Sequence, residues 1–276
     1  IETGTTVIIG DINDELLDKA ELHFKGEKVI TKKVDVTCLK DLEKLSYLLD
    51  LENIKIDILI NNAAINPKVT IGKDALTNSS RLENYDESSW DLELNVGLKS
   101  AFLCSKVFGT NMAKRNFPGV ILNIASDLSV ISPMQSIYEI EGLDYFLQPV
   151  KPITYSVIKA GLLGLTKYLA TYWLDCGIRC NALLPGGVKT NQDEDFLTKL
   201  NNLIPMNRMA DPREYKGAVA FLCSDASSYM TGATITIDGG SGKVMQGIVP
   251  TVKPDISGYF STIMKWADGF RKLKIR

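Results

Sequence analysis

A tyrosine and a lysine stand four residues apart in the run TYSVIKAG, which begins at Thr154. The surrounding apolar residues have helical spacing, so Tyr155 and Lys159 are expected to be neighbours on one helical face. An ammonium beside a phenol favours the ionised phenol and moves its ordinary pKa of about 10 toward neutrality. Tyr155 is therefore a candidate general acid or base. A solvated lysine beside a half-buried tyrosine would show the same spacing, so the rest of the chain must decide.

Four further motifs accompany this pair, each next to a predicted strand or helix. They are Asn61-Asn62-Ala63-Ala64, Asn95, Asn123-Ile124-Ala125-Ser126, and Pro185 to Thr190. In this order and at these positions the set resembles the classical short-chain dehydrogenase/reductase family, over residues 3 to 243. Five ordered motifs are more specific than any one alone. The resemblance implies an α/β fold, a Rossmann-like doubly wound parallel sheet with helices on both faces, and hydride transfer with a nicotinamide cofactor.

The resemblance also implies a catalytic set of Asn95, Ser126, Tyr155 and Lys159. Ser126 would hydrogen-bond the substrate oxygen while Tyr155 exchanges the proton. Lys159 would lower the pKa of Tyr155 and hold the cofactor ribose. Asn95 would bend its helix and hold a water that completes a proton relay. Without the resemblance, Asn95 would be placed on the exposed surface of its helix.

Cofactor contacts are implied at the ends of several strands. They are Asp11, Ile12, Asp35, Val36, Asn62, Ala63, Ala64, Pro185, Gly186, Val188 and Thr190, together with Tyr155 and Lys159. An acidic residue at the end of the second strand of such a fold binds the ribose hydroxyls and repels a 2′-phosphate, so Asp11 favours NAD over NADP. Alternatively, Asp11 caps the next helix and Asp35 is an ordinary strand-end aspartate. Ala64 replaces the family's usual glycine, which we expect to be tolerated.

Strand and helix patterns alternate along the chain. Strands are predicted near residues 5–10, 28–36, 56–60, 120–125, 178–184 and 234–237, and helices over 13–24, 39–49, 90–112 and 154–173. This alternation predicts a parallel sheet covered on both faces. The family opens with a strand, a Gly-rich turn and a helix, a unit of about 30 residues. Only ten residues precede Asp11 here, so we expect this unit to be missing from the sequence.

Residues 1–245 are predicted to form one dinucleotide-binding and catalytic domain, and residues 246–276 an extension with an amphipathic basic helix. We expect this helix to pack on this or a neighbouring subunit, with a membrane surface as the alternative. The resemblance implies a homodimer or homotetramer in which the helices of Asn95 and Tyr155 meet their copies. Gly161 and Gly164 would permit close approach there.

Ser126 and Tyr155 are 29 residues apart, whereas about a dozen residues separate them in the family. The excess, residues 132–152, is read as an insertion beside the site. It carries Tyr138, Glu139, Glu141, Asp144, Tyr145, Phe146 and Gln148. Carboxylates and aromatic rings suit a multiply hydroxylated substrate, although a decorative surface loop is the alternative. Residues 191–209 resemble a mobile substrate lid.

Composition excludes several other classes of function. The net charge is −2, with 31 basic and 33 acidic residues, so no global field favours nucleic acid. No apolar run reaches the roughly 20 residues of a membrane span and no signal peptide is visible, so we expect a cytoplasmic protein. The five cysteines contain no CxxC pair and suit a reducing compartment. His23 is the only histidine, which disfavours a Ser-His-Asp triad and a histidine-rich metal site.

The runs ILNIASDLSVISP and KPITYSVIKAG are most similar to oxidoreductases of bacterial flagellin modification and surface-sugar synthesis. This similarity points to NAD-dependent hydride transfer on a sugar phosphate or nucleotide sugar. One alternative, a reductase of 3-oxoacyl thioesters, should prefer NADPH and show a basic patch for its acidic carrier protein; Asp11 and the acidic insertion argue against both. The other alternative is a non-catalytic scaffold of the same fold, supported only by the missing Gly-rich turn.

Overall fold

The structure is a computed structural model that describes residues 4–65, 79–115 and 117–244. The strands are β1 (Val7–Asp11), β2 (Val29–Lys33), β3 (Ile58–Asn61), β4 (Gly119–Ile124), β5 (Ile178–Pro185) and β6 (Thr234–Ile237). The helices are α1 (Asp14–His23), α2 (Leu39–Leu51), α3 (Glu87–Leu94), α4 (Ser100–Cys104), α5 (Thr110–Lys114), α6 (Ile153–Tyr172), α7 (Glu194–Leu203), α8 (Lys216–Leu222) and α9 (Ser241–Val244). Strands and helices alternate as the sequence predicts.

Every described strand pairs in parallel. β1 pairs with β2, while the other four strands form a sheet in the order β3-β4-β5-β6. The two sheets share one apolar core, in which Val34 and the leucines of α2 pack with Leu103 and Phe108, and Leu59 of β3 packs against it. The predicted α/β fold with a parallel sheet is thus confirmed, and its described strands form these two groups.

Helices cover both faces of the larger sheet because successive strand residues point to opposite sides. On one face Ile121 and Cys180 pack against Met112 and Leu169, which come from α5 and α6. On the other face Leu122 and Leu183 pack with Leu222 of α8. The buried amide of Asn123 joins β4 to α6, donating to Thr166 Oγ1 at 2.8 Å, and its Oδ1 accepts from Asn61 of β3. These contacts fix α6, the helix that carries Tyr155, against the sheet.

The predicted helix over residues 90–112 is continuous but not uniformly α-helical. π-helical turns at Asn95–Lys99 and Ser105–Gly109 connect α3, α4 and α5. The helix begins at Glu87 rather than Trp90, because Asp86 caps it by accepting the Ser89 N–H at 3.0 Å.

Two strand boundaries differ from those that the sequence predicts. β2 ends at Lys33 rather than near residue 36, because Asp35 turns the chain by accepting the backbone N–H and the hydroxyl of Thr37. β3 begins at Ile58 instead of Ile56. Residues 66–78 and the predicted extension over 246–276 lie outside the described residues. No helix in the described part is long and apolar enough to cross a membrane.

Candidate active site

The carboxyl ends of the parallel strands bring the predicted residues to one edge of the fold. Asp11 ends β1, Asn62 follows β3, Ser126 follows β4, and Pro185 ends β5. In parallel α/β sheets this edge is where ligands bind. Tyr155 joins them from the first turn of α6.

Lys159 is held at the centre of this edge. Lys159 is 8% exposed, and its Nζ donates at 2.9 Å to the backbone oxygen of Ile124, two residues before Ser126. Its Nζ lies 5.8 Å from the centroid of the Tyr155 ring. The four-residue spacing on α6 thus brings the ammonium and the phenol together as predicted.

The expected effect of Lys159 on Tyr155 is not what the structure shows. Burial raises the pKa of Tyr155, Asp127 raises it further, and a hydrogen bond with Ser126 acts in the opposite direction. The pKa of Lys159 is itself lowered to about 8, chiefly by burial and then by repulsion from Lys151. Both groups are therefore partly desolvated, and the protonation equilibrium of each is shifted toward its neutral form.

Ser126 has an acidic neighbour, Asp127. The side chain is 5% exposed, and its Oγ donates to Asp127 Oδ1 at 2.9 Å while accepting the Leu128 N–H at 3.2 Å. Burial raises the pKa of Asp127, which the hydrogen bond from Ser126 partly offsets. The Ser126 hydroxyl must turn from Asp127 before it can donate to a substrate oxygen, so Asp127 controls its orientation.

Asn95 lies at the first π-helical turn, where Ser100 N–H bonds back to the Asn95 carbonyl. The helix is locally widened at this residue. The bend, the bound water and the proton relay that the resemblance implies for Asn95 stay predictions. A buried polar cluster beside it ties α3 to α6: Tyr85 Oη donates to Glu93 Oε2 at 2.8 Å, and the Thr154 hydroxyl donates to the same oxygen. Since Thr154 precedes Tyr155, this cluster positions the start of α6.

The predicted ribose-binding residues follow the first two strands. Asp11 Oδ1 accepts the Asn13 N–H at 2.8 Å, but Asn13 itself caps α1, so Asp11 is not the cap. Ile12 is 61% exposed. Asp35 and Val36 follow β2, and the first of these makes the turn with Thr37 described above.

The remaining cofactor candidates offer little steric hindrance. Asn62, Ala63 and Ala64 are exposed after β3. At Gly186 a Cβ would lie 2.7 Å from the Cα of Asp238, so only glycine fits where these two turns meet. Val188 forms a parallel bridge with Ala210, and exposed Thr190 follows it. Small residues, a carboxylate at the end of β1 and the Lys159 ammonium together fit a dinucleotide laid along this edge.

The insertion contacts the predicted lid. The rings of Tyr138 and Phe196 lie 5.5 Å apart between centroids, and Lys199 Nζ donates to the Glu139 backbone oxygen at 2.7 Å. Burial raises the pKa of Tyr138 to about 12, with Tyr155 and Asp127 contributing. The insertion therefore contributes Tyr138 to the surroundings of Tyr155, while its Tyr145 and Phe146 remain 70% and 66% exposed.

Arg81 anchors the far side of the insertion. It is 6% exposed, donates to the backbone oxygen of Tyr145 at 2.9 Å, and lies over the Tyr145 ring. The Gln148 side chain makes two hydrogen bonds to the Ile140 backbone. Its Oε1 accepts the Ile140 N–H at 2.8 Å, and its Nε2 donates to the Ile140 oxygen at 3.0 Å. These contacts favour the interpretation of the insertion as an ordered segment that borders the site, rather than as a surface loop without a role.

Two residues of the site were not predicted from the sequence. Lys151 places its Nζ 3.8 Å from the centroid of the Tyr155 ring, and Asp127 bonds Ser126. The repeated spacing Lys151, Tyr155, Lys159 was a visible signal, since both lysines stand four residues from the tyrosine. Among the residues that the structure describes, no cluster of histidine, cysteine or acidic side chains could hold a metal ion.

Comparison with known proteins decides the family. Residues 1–139 match the family model described as short chain dehydrogenase, and residues 147–242 match one described as enoyl-(acyl carrier protein) reductase. The chain belongs to the short-chain dehydrogenase/reductase family.

Relatives within this short-chain dehydrogenase/reductase family differ in substrate. The chain is 32% identical to a 3-oxoacyl-(acyl-carrier-protein) reductase of Thermotoga maritima, over 87% of this chain and 88% of that protein. It is 32% identical to a 2-dehydro-3-deoxy-D-gluconate 5-dehydrogenase of Dickeya dadantii, over 67% and 65%. A short-chain dehydrogenase structure from Leptospira borgpetersenii with bound NAD⁺ superposes with a TM-score of 0.72 at 30% identity, covering 86% of this chain and 83% of that chain.

Proposed function

We propose that this chain is an NAD-dependent oxidoreductase that interconverts a secondary alcohol and a ketone on a sugar-derived small molecule. The observation that carries the proposal is the meeting of Ser126, Tyr155 and Lys159 at the carboxyl edge of the parallel strands. A sugar phosphate or nucleotide sugar remains the predicted substrate class, and the match to a deoxygluconate dehydrogenase supports a sugar-derived substrate.

Each residue has a distinct task in this proposal. NADH supplies the hydride when it is bound. Tyr155 donates its phenolic proton to the substrate oxygen, and its raised pKa keeps that proton available at neutral pH. Ser126 donates a second hydrogen bond to the same oxygen, which stabilises the charge that develops there. Lys159 is placed to hold a ribose hydroxyl and to favour the phenolate after proton transfer.

The preference for NAD rests on Asp11. Its carboxylate at the end of β1 would accept hydrogen bonds from ribose hydroxyls and repel a 2′-phosphate. A 3-oxoacyl thioester reductase is the second candidate, favoured by the match to the Thermotoga maritima enzyme. That reaction would use the same catalytic residues, so substrate and cofactor preference distinguish the two.

A homodimer or homotetramer is also proposed. Large side chains remain exposed on the helices that the resemblance assigns to subunit contacts: Phe102 is 49% exposed, Tyr168 61% and Tyr172 60%. Gly161 also permits close packing within the chain, because a Cβ there would lie 2.8 Å from the Leu98 side chain.

Initial rates of NAD⁺ and NADP⁺ reduction test the proposal, using sugar alcohols, sugar acids, sugar phosphates and nucleotide sugars. We expect faster reduction of NAD⁺, and a rate for Tyr155→Phe lower by roughly 100-fold or more because the proton carrier is lost. Tyr47→Phe, which alters an exposed tyrosine of α2, is the matched control. Full activity of Tyr155→Phe would refute the site, and faster reduction of NADP⁺ would refute the cofactor assignment.

A further inference from the structure

The first turn of α6, which carries Tyr155, has no capping side chain among the residues that the structure describes. α6 begins at Ile153, and Pro152 at its N-cap position makes no side-chain hydrogen bond. The Tyr155 N–H bonds to the Pro152 oxygen at 3.3 Å, which is longer than the usual N–H···O distance. Helix ends without a cap fray, so contacts from other elements must hold the proposed proton donor in place.

A buried carboxylate provides such a contact. Thr154 is fully buried, and its hydroxyl donates to Oε2 of Glu93, which is 7% exposed. Tyr85 Oη donates to the same oxygen at 2.8 Å and lies 2.9 Å from the Thr154 hydroxyl oxygen. Hydrogen bonds to a carboxylate are stronger than neutral ones, and breaking one in a buried place leaves a polar group without its partner. The three side chains therefore hold Thr154 in a narrowly defined position.

The helices of Glu93 and Thr154 meet at a second point one turn further along. Glu93 lies in the last turn of α3, and Thr154 immediately precedes Tyr155. Four residues beyond each of them, a Cβ on Gly97 would lie 2.7 Å from Ile158 Cγ2, so the two helices approach closely there as well. Two contacts spaced by one turn on each helix fix the rotation of the first turn of α6 as well as its distance from α3.

We propose that Glu93 is a positioning residue for Tyr155: through the Thr154 hydroxyl it holds the first turn of α6 where the phenol meets the substrate oxygen. Neither Glu93 nor Thr154 belongs to the catalytic set that the resemblance implies. This inference rests on the proposed function, because it takes Tyr155 as the proton donor. A displacement of about 1 Å in a reacting group can lower a rate about 100-fold, so a buried hydrogen bond one residue from the phenol bears directly on catalysis.

Substitutions of Thr154 and Glu93 should lower kcat without weakening cofactor binding. Thr154→Val keeps the shape of the side chain and removes its hydroxyl, and Glu93→Leu removes the acceptor. We expect each to lower kcat roughly 10- to 100-fold, measured with the alcohol of the proposed classes that the wild type oxidises fastest. The Kd of NADH should stay unchanged, because Lys159 has its own hydrogen bond to the Ile124 oxygen. Thr154→Ser, which keeps the hydroxyl, should retain most of the wild-type kcat.

A double-mutant cycle tests whether Glu93 acts through Thr154. If it does, Glu93→Leu should lower kcat little further in the Thr154→Val background, whereas independent effects multiply. Ser46→Ala is the matched control, because it removes a buried hydrogen bond with Asn111 between α2 and α5, which carry none of the proposed catalytic residues. A kcat of Thr154→Val equal to that of the wild type, effects that multiply, or an equal loss in Ser46→Ala would overturn the proposal.

A measurement that needs no turnover separates this inference from the proposed function. Carbon-13 spectra of protein labelled at the tyrosine Cζ report on Tyr155, whose resonance is identified by its absence in Tyr155→Phe. We expect one narrow Tyr155 resonance in the wild type and in Ser46→Ala, and a broadened or split one in Glu93→Leu, because the first turn then exchanges between positions. If the wild type oxidises no alcohol but Glu93→Leu broadens the resonance, the positioning of Tyr155 is supported and the proposed function is refuted. Turnover by the wild type, with an unaltered resonance and an unaltered kcat in Glu93→Leu, would do the reverse.

Discussion

Buried Lys159 and half-buried Lys151 share the surroundings of Tyr155. Lys151 and Lys159 each have a pKa lowered from 10.5 to about 8, first by burial, and the pKa of Lys159 also by repulsion from Lys151. Because the two amines interact, their titration belongs to the pair rather than to either residue. The unfolded chain therefore binds more protons than the folded chain between pH 8 and 10.5.

The difference in bound protons sets the sign of the pH dependence of stability. Stability rises with pH wherever the unfolded state binds more protons, so the penalty for burying these charges is complete below pH 8 and disappears by pH 10.5. The unfolding free energy of the wild type minus that of Lys151→Met should rise by on the order of 2 kcal/mol across this window. Urea denaturation at several pH values measures it.

The comparison with a variant is necessary because other groups titrate in the same range. Burial raises the pKa of Cys104 and Cys223 to about 11 and that of Tyr138 to about 12, which lowers stability in alkali. These contributions are present in both proteins and cancel in the difference. A difference that is level or falls between pH 8 and 10.5 would contradict the charge assignment.

Some residues of the site were predicted from the sequence and others were not. Tyr155, Lys159 and Ser126 were predicted because motif order places them at strand and helix ends, and the structure brings them together. The direction of the Tyr155 pKa was predicted wrongly, since spacing reveals the neighbouring lysine but not the burial that outweighs it. Lys151 was missed because its approach depends on the path of the insertion.

Among the elements, the insertion depends most on contacts from outside itself. Arg81, before α3, donates to the Tyr145 backbone oxygen and covers the Tyr145 ring. Replacing Arg81 with Met should release the loop, since the Tyr145 backbone oxygen loses this donor. We expect chymotrypsin to cut after Tyr145 or Phe146 roughly tenfold faster in Arg81→Met than in the wild type.

Arg213→Met is the control for that experiment, because Arg213 has an 80% exposed side chain and contacts Asp211 rather than the insertion. Equal cleavage rates in Arg81→Met and the wild type would show that Arg81 does not hold the loop.

Element boundaries were predicted to within a few residues, and the errors at α3 and β2 arise where Asp86 and Asp35 bond to the neighbouring backbone. Asp211 and Pro212 start a helical turn with a capping box. The π-helical turns were not predicted, and each contains a glycine that closely approaches α6 or the residue that follows it. Gly97 faces Ile158, where a Cβ would lie 2.7 Å from Cγ2, and Gly109 faces Trp173 at 2.5 Å.

At the scale of the whole molecule, one arrangement explains where most of the predicted site residues lie. The six strands of the described residues run parallel within their sheets, so their carboxyl ends gather Asp11, Asn62, Ser126 and Pro185 at the edge that α6 approaches with Tyr155. Alternation of strands and helices was sufficient to predict this architecture. The way the two sheets join through the α2 core could not be predicted, because it depends on long-range packing.

Transfer of deuterium from NADH labelled at the reactive nicotinamide carbon tests the central claim most directly. The wild type is incubated with the labelled cofactor and with the keto forms of sugars, sugar acids, sugar phosphates and nucleotide sugars, and the mass of the alcohol product is measured by mass spectrometry. We predict deuterium on the carbon that bears the new hydroxyl, and roughly 100-fold slower transfer by Tyr155→Phe. A wild type that binds NADH but transfers deuterium to no ketone, or a Tyr155→Phe variant that transfers it equally fast, would contradict the account.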